Sequence, residues 1–139
     1  MKKLFCTAAL MALLLTGCAG TAANAVDSPV TESSALSYFQ ISQDEAKQMM
    51  AKDDGHVVVD VRREDEYASG HIPGAILIPN ESIGNEKPGE LPDYDQIILI
   101  YCRSGRRSKE AAAKLVALGY THIYEFGGII DWTGEVVTD

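Results

Sequence analysis

The residues best equipped for chemistry run from Cys102 through Arg103, Ser104, Gly105, Arg106 and Arg107 to Ser108. One thiol is followed by three arginines within five positions, in a chain of formal net charge −8. Before it, Gln96-Ile97-Ile98-Leu99-Ile100-Tyr101 is an apolar, β-branched segment that reads as a buried strand. After it, residues 109–118 are rich in strong helix formers and closed by Gly119, which predicts a helix. Cys102 therefore falls where a strand ends, in a tight loop that opens a helix. Backbone N–H groups in such a loop, with the helix N-terminus, form a pocket for an anion and favour thiolate over thiol. That suits a thiolate that attacks or holds something negatively charged. A lone cysteine at a strand end is also a common inert core residue. Arg106 and Arg107, however, oppose the helix dipole unless an anion meets them, which favours the reactive reading.

Other elements must position that loop. His56-Val57-Val58-Val59-Asp60-Val61 is an almost unbroken β-branched run, as expected of a strand covered on both faces. Ile76-Leu77-Ile78 and His122-Ile123-Tyr124-Glu125-Phe126 predict two further strands. Ser42-Gln43-Asp44-Glu45 is a capping-box pattern opening a helix through Ala51, with Ala46, Met49 and Met50 as its apolar face. Residues 64–68 read as a short helix ended by Gly70, residues 80–92 as a surface loop with one helical turn, and residues 129–132 as a last short helix. Strands alternating with helices imply an α/β fold with a central parallel sheet and helices on both faces. Ligands in such sheets gather at the carboxyl ends of strands, where Cys102 is placed. Asp60 and Arg62 lie at the same edge. Arg62 and Glu66 are four apart and expected to pair, while Asp60 ties the neighbouring loop. Trp132 is expected in the core. His56 and His122 lack metal-ligand spacing with each other or with Cys102, so neither a metal nor a cofactor is expected.

The chain has 139 residues, 12 basic against 20 acidic, enough for one domain with a real core. Its acidic balance argues against nucleic acid as a partner. Met1-Lys2-Lys3 followed by an apolar run over residues 4–15 reads as a secretory signal, too short to span a membrane. Leu15-Thr16-Gly17-Cys18 resembles the lipobox of bacterial lipoproteins. That resemblance implies lipidation of Cys18 and cleavage before it; the alternative is an ordinary signal peptide cut near Ala23 or Ala25. Residues 1–17 are then the signal peptide, 18–37 a flexible lipidated tether and 38–139 the folded domain. With Cys6 removed and Cys18 acylated, Cys102 remains as the only thiol, unpaired outside the cytoplasm. The expected location is extracytoplasmic, anchored by lipid on the periplasmic side or cell surface, and the expected state is monomeric.

Three stretches together carry a second resemblance. Asp60-Val61-Arg62 with Glu66-Tyr67, then Gly70-His71-Ile72-Pro73-Gly74-Ala75, is similar to the first signature of rhodanese-homology domains. The segment from Cys102 to Ser108 resembles their active-site loop, and Gly119-Tyr120, Gly127-Gly128-Ile129 and Trp132 resemble their closing segment. The resemblance implies the rhodanese fold and sulfurtransferase chemistry. Cys102 would take sulfane sulfur from a donor such as thiosulfate, become a persulfide, and pass the sulfur to cyanide or a thiol. The amides of residues 103–107 would cradle that sulfur and any attached sulfonate. Arg103, Arg106 and Arg107 would attract anions, with an inward, structural Arg107 as the alternative. Ser104 and Ser108 would offer hydroxyls, Ser108 capping the helix. Asp60, Arg62, Glu66 and His71 would support the scaffold.

Two rival functions remain. Cysteine phosphatases and arsenate reductases use a loop one residue longer, Cys-x5-Arg, but six positions beyond Cys102 stands Ser108, and Arg107 falls at five. A persulfide carrier, sensor or protein-binding module without turnover needs the same loop as an enzyme does.

Overall fold

A computed structural model describes residues 37–139. The expected signal peptide, Cys18 and residues 18–36 of the tether lie outside the described residues. The chain runs β1 (Phe39–Gln40), α1 (Gln43–Met50), β2 (Val57–Asp60), α2 (Glu64–Ala68), β3 (Ile76–Leu77), β4 (Ile97–Cys102), α3 (Arg106–Leu118) and β5 (His122–Gly128). Single 3-10 turns follow at Asn80–Ser82 and Ile129–Asp131. The five strands form one sheet in the order β1-β5-β4-β2-β3. Every pairing in it is parallel.

Strand parity decides what each face contains. Along β4, Ile98, Ile100 and Cys102 point to one side and pack with Ala111, Ala112 and Leu115 of α3. Leu99 and Tyr101 point to the other, where Ala46, Met49 and Met50 of α1 cover them beside Phe126. Both faces are thus apolar, which is why β2 and β4 show no polar alternation. Each fully buried Ile or Leu contributes roughly 1.5–3 kcal/mol relative to exposure. Helix α1 starts on the expected capping box: the Ser42 side chain accepts from the Glu45 N–H, and Glu45 accepts from the Ser42 N–H at 2.8 Å.

Two local expectations are corrected. Helix α3 begins at Arg106, not Lys109, because Gly105 turns the chain in the left-handed region (φ 99°) and acts as its N-cap. Trp132 is only half-buried and closes the core's edge, its ring centroid 5.7 Å from that of Phe126.

Candidate active site

Only Arg103, Ser104 and Gly105 separate the last residue of β4 from the first of α3. Cys102 sits beneath this bend, 1 % exposed, on the α3 face of the sheet by its parity with Ile98 and Ile100. The Gly105 N–H donates to Cys102 Sγ at 3.0 Å. The sulfur therefore meets hydrocarbon on one side and an amide dipole on the other. Gly105 can aim that amide inward because its left-handed φ is open to glycine.

The loop is held from below. Cys102 is paired with Gly128 of β5 after a register shift that leaves an extra residue on β5, a bulge containing Gly127 (φ 91°). The Ile130 N–H donates to the Arg103 carbonyl at 3.2 Å. The Gln43 side-chain amide donates to the Gly128 carbonyl at 2.8 Å, tying α1 to the same bulge.

A cavity of about 370 Å³ opens over the loop, lined by Arg63, Glu66, Glu81, Arg103, Ser104, Arg106 and Arg107. Three of its arginines already have carboxylate partners. Arg107 forms a bidentate pair with Glu66 (2.7 and 2.9 Å), Arg106 meets Glu110 at 2.6 Å, and Arg63 meets Asp65 at 2.9 Å. The Arg107 guanidinium, above all, holds the Glu66 carboxyl down to about 2. Arg103 makes no ion pair among the described residues and faces solvent beside Ser104. The anions that Arg106 and Arg107 require at a helix N-terminus are therefore supplied in part by Glu110 and Glu66. Arg63 and Glu81 were not anticipated in this cavity. Both come from segments whose placement depends on the parallel crossover rather than on local pattern.

The expected pairing of Arg62 with Glu66 is corrected. Arg62 precedes α2, so helical i,i+4 geometry does not apply to it. Its guanidinium grips Asp60 instead (Nη2 to Oδ2 2.6 Å, Nε to Oδ1 2.9 Å) and donates to the Gly70 carbonyl at 2.7 Å. Asp60 and Arg62 are both buried, far from solvent on the core side of the sheet edge. His71 is likewise buried; its Nδ1 lies 3.1 Å from the Tyr67 carbonyl oxygen and its ring stacks on Tyr67 at 3.8 Å. Its backbone pairs with Val137 in the C-terminal segment.

Ser108 does not cap α3. It is fully buried in the helix's first turn, and its Oγ lies 2.6 Å from Glu125 Oε1 and 3.0 Å from the Gly105 carbonyl oxygen. Its hydroxyl supports the loop from underneath and is turned away from the cavity. Glu125 was missed entirely. The signal available was parity: it shares a face with the apolar Ile123, so a carboxylate there is buried and needs donors.

A parallel sheet with a cysteine loop at its carboxyl edge, anchored by a Gly-Gly bulge, defines a class that comparison makes explicit. Residues 42–135 match the family model described as the Rhodanese-like domain, and the chain belongs to that family. The chain is 36 % identical to YrkF, a Bacillus subtilis protein named for sulfur carriage, over 73 % of this chain and 54 % of that one. It thus spans about half the length of that relative. It is 36 % identical to the thiosulfate sulfurtransferase PspE of Escherichia coli, over 52 % of this chain and 70 % of that one. A solved rhodanese-like domain protein from Staphylococcus aureus superposes with a TM-score of 0.62 at 32 % identity, covering 73 % of this chain and 98 % of that one.

Proposed function

We propose that this protein is a rhodanese-type sulfurtransferase that moves sulfane sulfur through a persulfide on Cys102. The observation that carries this reading is the Gly105 N–H aimed at Cys102 Sγ from 3.0 Å, beneath a cationic cavity. In the first half-reaction the Cys102 thiolate attacks the outer sulfur of thiosulfate. The S–S bond of the donor breaks, sulfite leaves with the bonding pair, and Cys102 carries a persulfide anion. In the second, cyanide or a thiolate attacks the terminal sulfur, leaving as thiocyanate or a new persulfide and restoring the Cys102 thiolate. Fixed amide dipoles stabilise the charged sulfur throughout without a metal or a proton. Arg103 and Ser104 at the cavity mouth attract and orient the donor's sulfonate. A covalent intermediate gives ping-pong kinetics.

Engagement of Arg107 with Glu66 supports sulfur over phosphorus. A phosphoryl group needs a free arginine at the far side of a longer loop, and this one is already bidentate to a carboxylate. A non-turnover carrier is the second reading, favoured by the relative named for sulfur carriage. The test is mass spectrometry of the reduced protein after thiosulfate or polysulfide. A labile increment of one sulfur atom on Cys102, absent in Cys102→Ser, is expected; an unmodified thiol overturns both sulfur readings. Turnover with cyanide or a thiol then separates enzyme from carrier, and an aryl-phosphate assay should stay silent. Lipidation of Cys18, with anchoring outside the cytoplasm, is proposed from the lipobox alone and is tested by incorporation of labelled fatty acid.

A further inference from the structure

We propose that Glu125 is a positioning residue for the sulfur-binding loop, acting on Cys102 through Ser108 and Gly105. Glu125 lies on β5 opposite Ile100 and is 3 % exposed. Its Oε1 receives two donors at once: the Ser108 hydroxyl at 2.6 Å and the Gly127 N–H at 2.9 Å. The first comes from the opening turn of α3 and the second from the bulge of β5. One carboxylate oxygen therefore clamps together the two elements between which Gly105 stands. Gly105 rests on that clamp: a Cβ built there would find Gly127 Cα at 3.6 Å and Glu125 Oε1 at 3.9 Å. The Gly105 N–H is the donor that reaches Cys102 Sγ.

Ser108 has a single hydroxyl proton and three oxygens within reach, those of Glu125 (2.6 Å), Gly105 (3.0 Å) and Gly127 (3.4 Å). The shortest distance is to Glu125 Oε1, which makes it the preferred acceptor. The hydroxyl therefore serves the clamp and leaves the Gly105 carbonyl to the helix ladder through Lys109. Removing Glu125 takes the shared acceptor from both the Ser108 hydroxyl and the Gly127 N–H, so α3 and the β5 bulge are no longer joined beneath Gly105. The group needed is an acceptor at the position of Oε1, not a negative charge.

The role rests on Cys102 being the reactive thiol of the proposed function, so one readout is chosen that needs no sulfur donor. Alkylation of Cys102 by iodoacetamide at fixed pH is compared with persulfide loading from thiosulfate in the wild type, Glu125→Gln, Glu125→Ala and Ser108→Ala. Melting temperatures are recorded alongside. Glu125→Ala and Ser108→Ala are expected to slow both reactions about ten- to a hundredfold, below the roughly 10²–10³ loss for removing such a donor outright. The loss should fall on kcat, with KM for thiosulfate within about threefold, because the cavity arginines do not touch Glu125. Glu125→Gln, whose amide oxygen can accept both bonds, is expected to stay within about threefold of wild type. Wild-type rates in both alanine variants would overturn the role, as would a Gln variant as slow as Ala. If Glu125→Ala does not fold, Ser108→Ala and the Gln variant decide alone. Should the wild type take up no sulfur, the proposed function fails, while the alkylation rates still decide this inference.

Discussion

Gly128→Ala isolates the contact on which the loop rests. Gly128 is extended (φ −126°, ψ 149°), so alanine meets no backbone objection there. The obstacle is space. A Cβ on Gly128 would stand 2.1 Å from the Arg103 carbonyl oxygen, 2.5 Å from its carbon and 2.6 Å from Ser104 Cα. Real Cβ atoms essentially never come within 3.0 Å of such atoms, so the loop must retreat by roughly 0.9 Å. A retreat of that size carries the Gly105 amide away from Cys102 Sγ and weakens their 3.0 Å bond. A misplacement of about 1 Å in an active site can lower the rate roughly a hundredfold, and that is the expected fall in persulfide loading. Overpacking of this kind also destabilises by about 1–3 kcal/mol, each kcal/mol lowering Tm by roughly 4–8 °C in a domain this size. Gly55→Ala, in the turn before β2, is the control. Its φ is 75° with nothing within 4 Å of a Cβ, so it suffers backbone strain of about 1–2 kcal/mol without pushing the loop. Quenched mass spectrometry under limiting thiosulfate gives the rates, and thermal melts give the stabilities. Equal loading in Gly128→Ala and wild type, or equal loss in both glycine variants, would refute the reasoning.

Glu66 and Arg62 are open to simpler tests. Because Arg107 holds the Glu66 carboxyl near 2, below its ordinary 4.5, its contribution is complete above pH 4.5 and disappears as pH falls toward 2. At about 1.4 kcal/mol per pH unit the full shift corresponds to roughly 3 kcal/mol, of which solvent screening at this partly open pair leaves about 1–2. Glu66→Gln should therefore flatten acid unfolding across that window relative to wild type, measured by circular dichroism; superimposable curves would refute the assignment. Arg62→Met leaves Asp60 buried and unpaired, which is expected to destabilise by roughly 3–5 kcal/mol in urea unfolding. A loss no larger than the ~1 kcal/mol of a surface pair would show that the Asp60–Arg62 contact is not holding the Gly70 segment.

Much of the fold was legible because its central strands are buried on both faces. Runs such as Val57-Val58-Val59 and Ile97-Ile98-Leu99-Ile100 cannot be solvent-facing, and the helix formers after Arg107 leave little choice between them. The residues of the loop were legible for the same reason that they are unusual: a thiol and three cations at a strand–helix junction. What stayed hidden depends on distances across the sheet. The partner of Arg107 is Glu66, 41 positions away, and Ser108 finds Glu125 across 17. Local spacing suggested the wrong partner for Arg62 because the pairing rule belongs to helices and α2 starts two residues later. Glu125 sat inside a strand that looked half-polar, until the parallel pairing with β4 placed it under α3. The edge strand β1 pairs only Phe39 and Gln40 with β5 and has no apolar run of its own to mark it.

Loop length links these hidden contacts to the chemistry. Parity along β4 puts Cys102 on the α3 face, so its sulfur must lie under whatever joins the strand to that helix. With three residues in the join, the chain turns back at once and the only short route is a left-handed glycine, which brings the Gly105 amide onto the sulfur. The same abrupt turn starts α3 early enough that Arg107 lies on its first turn, within reach of Glu66, and Ser108 lies inward over Glu125. One more residue would rotate α3 by about 100° relative to the sheet edge. That rotation would carry Arg107 off Glu66 and Ser108 off the buried carboxylate together. The cationic pair, the buried clamp and the amide on the thiol are thus three consequences of one spacing. A loop one residue longer, built to embrace a tetrahedral phosphoryl group, would have to give up the first two.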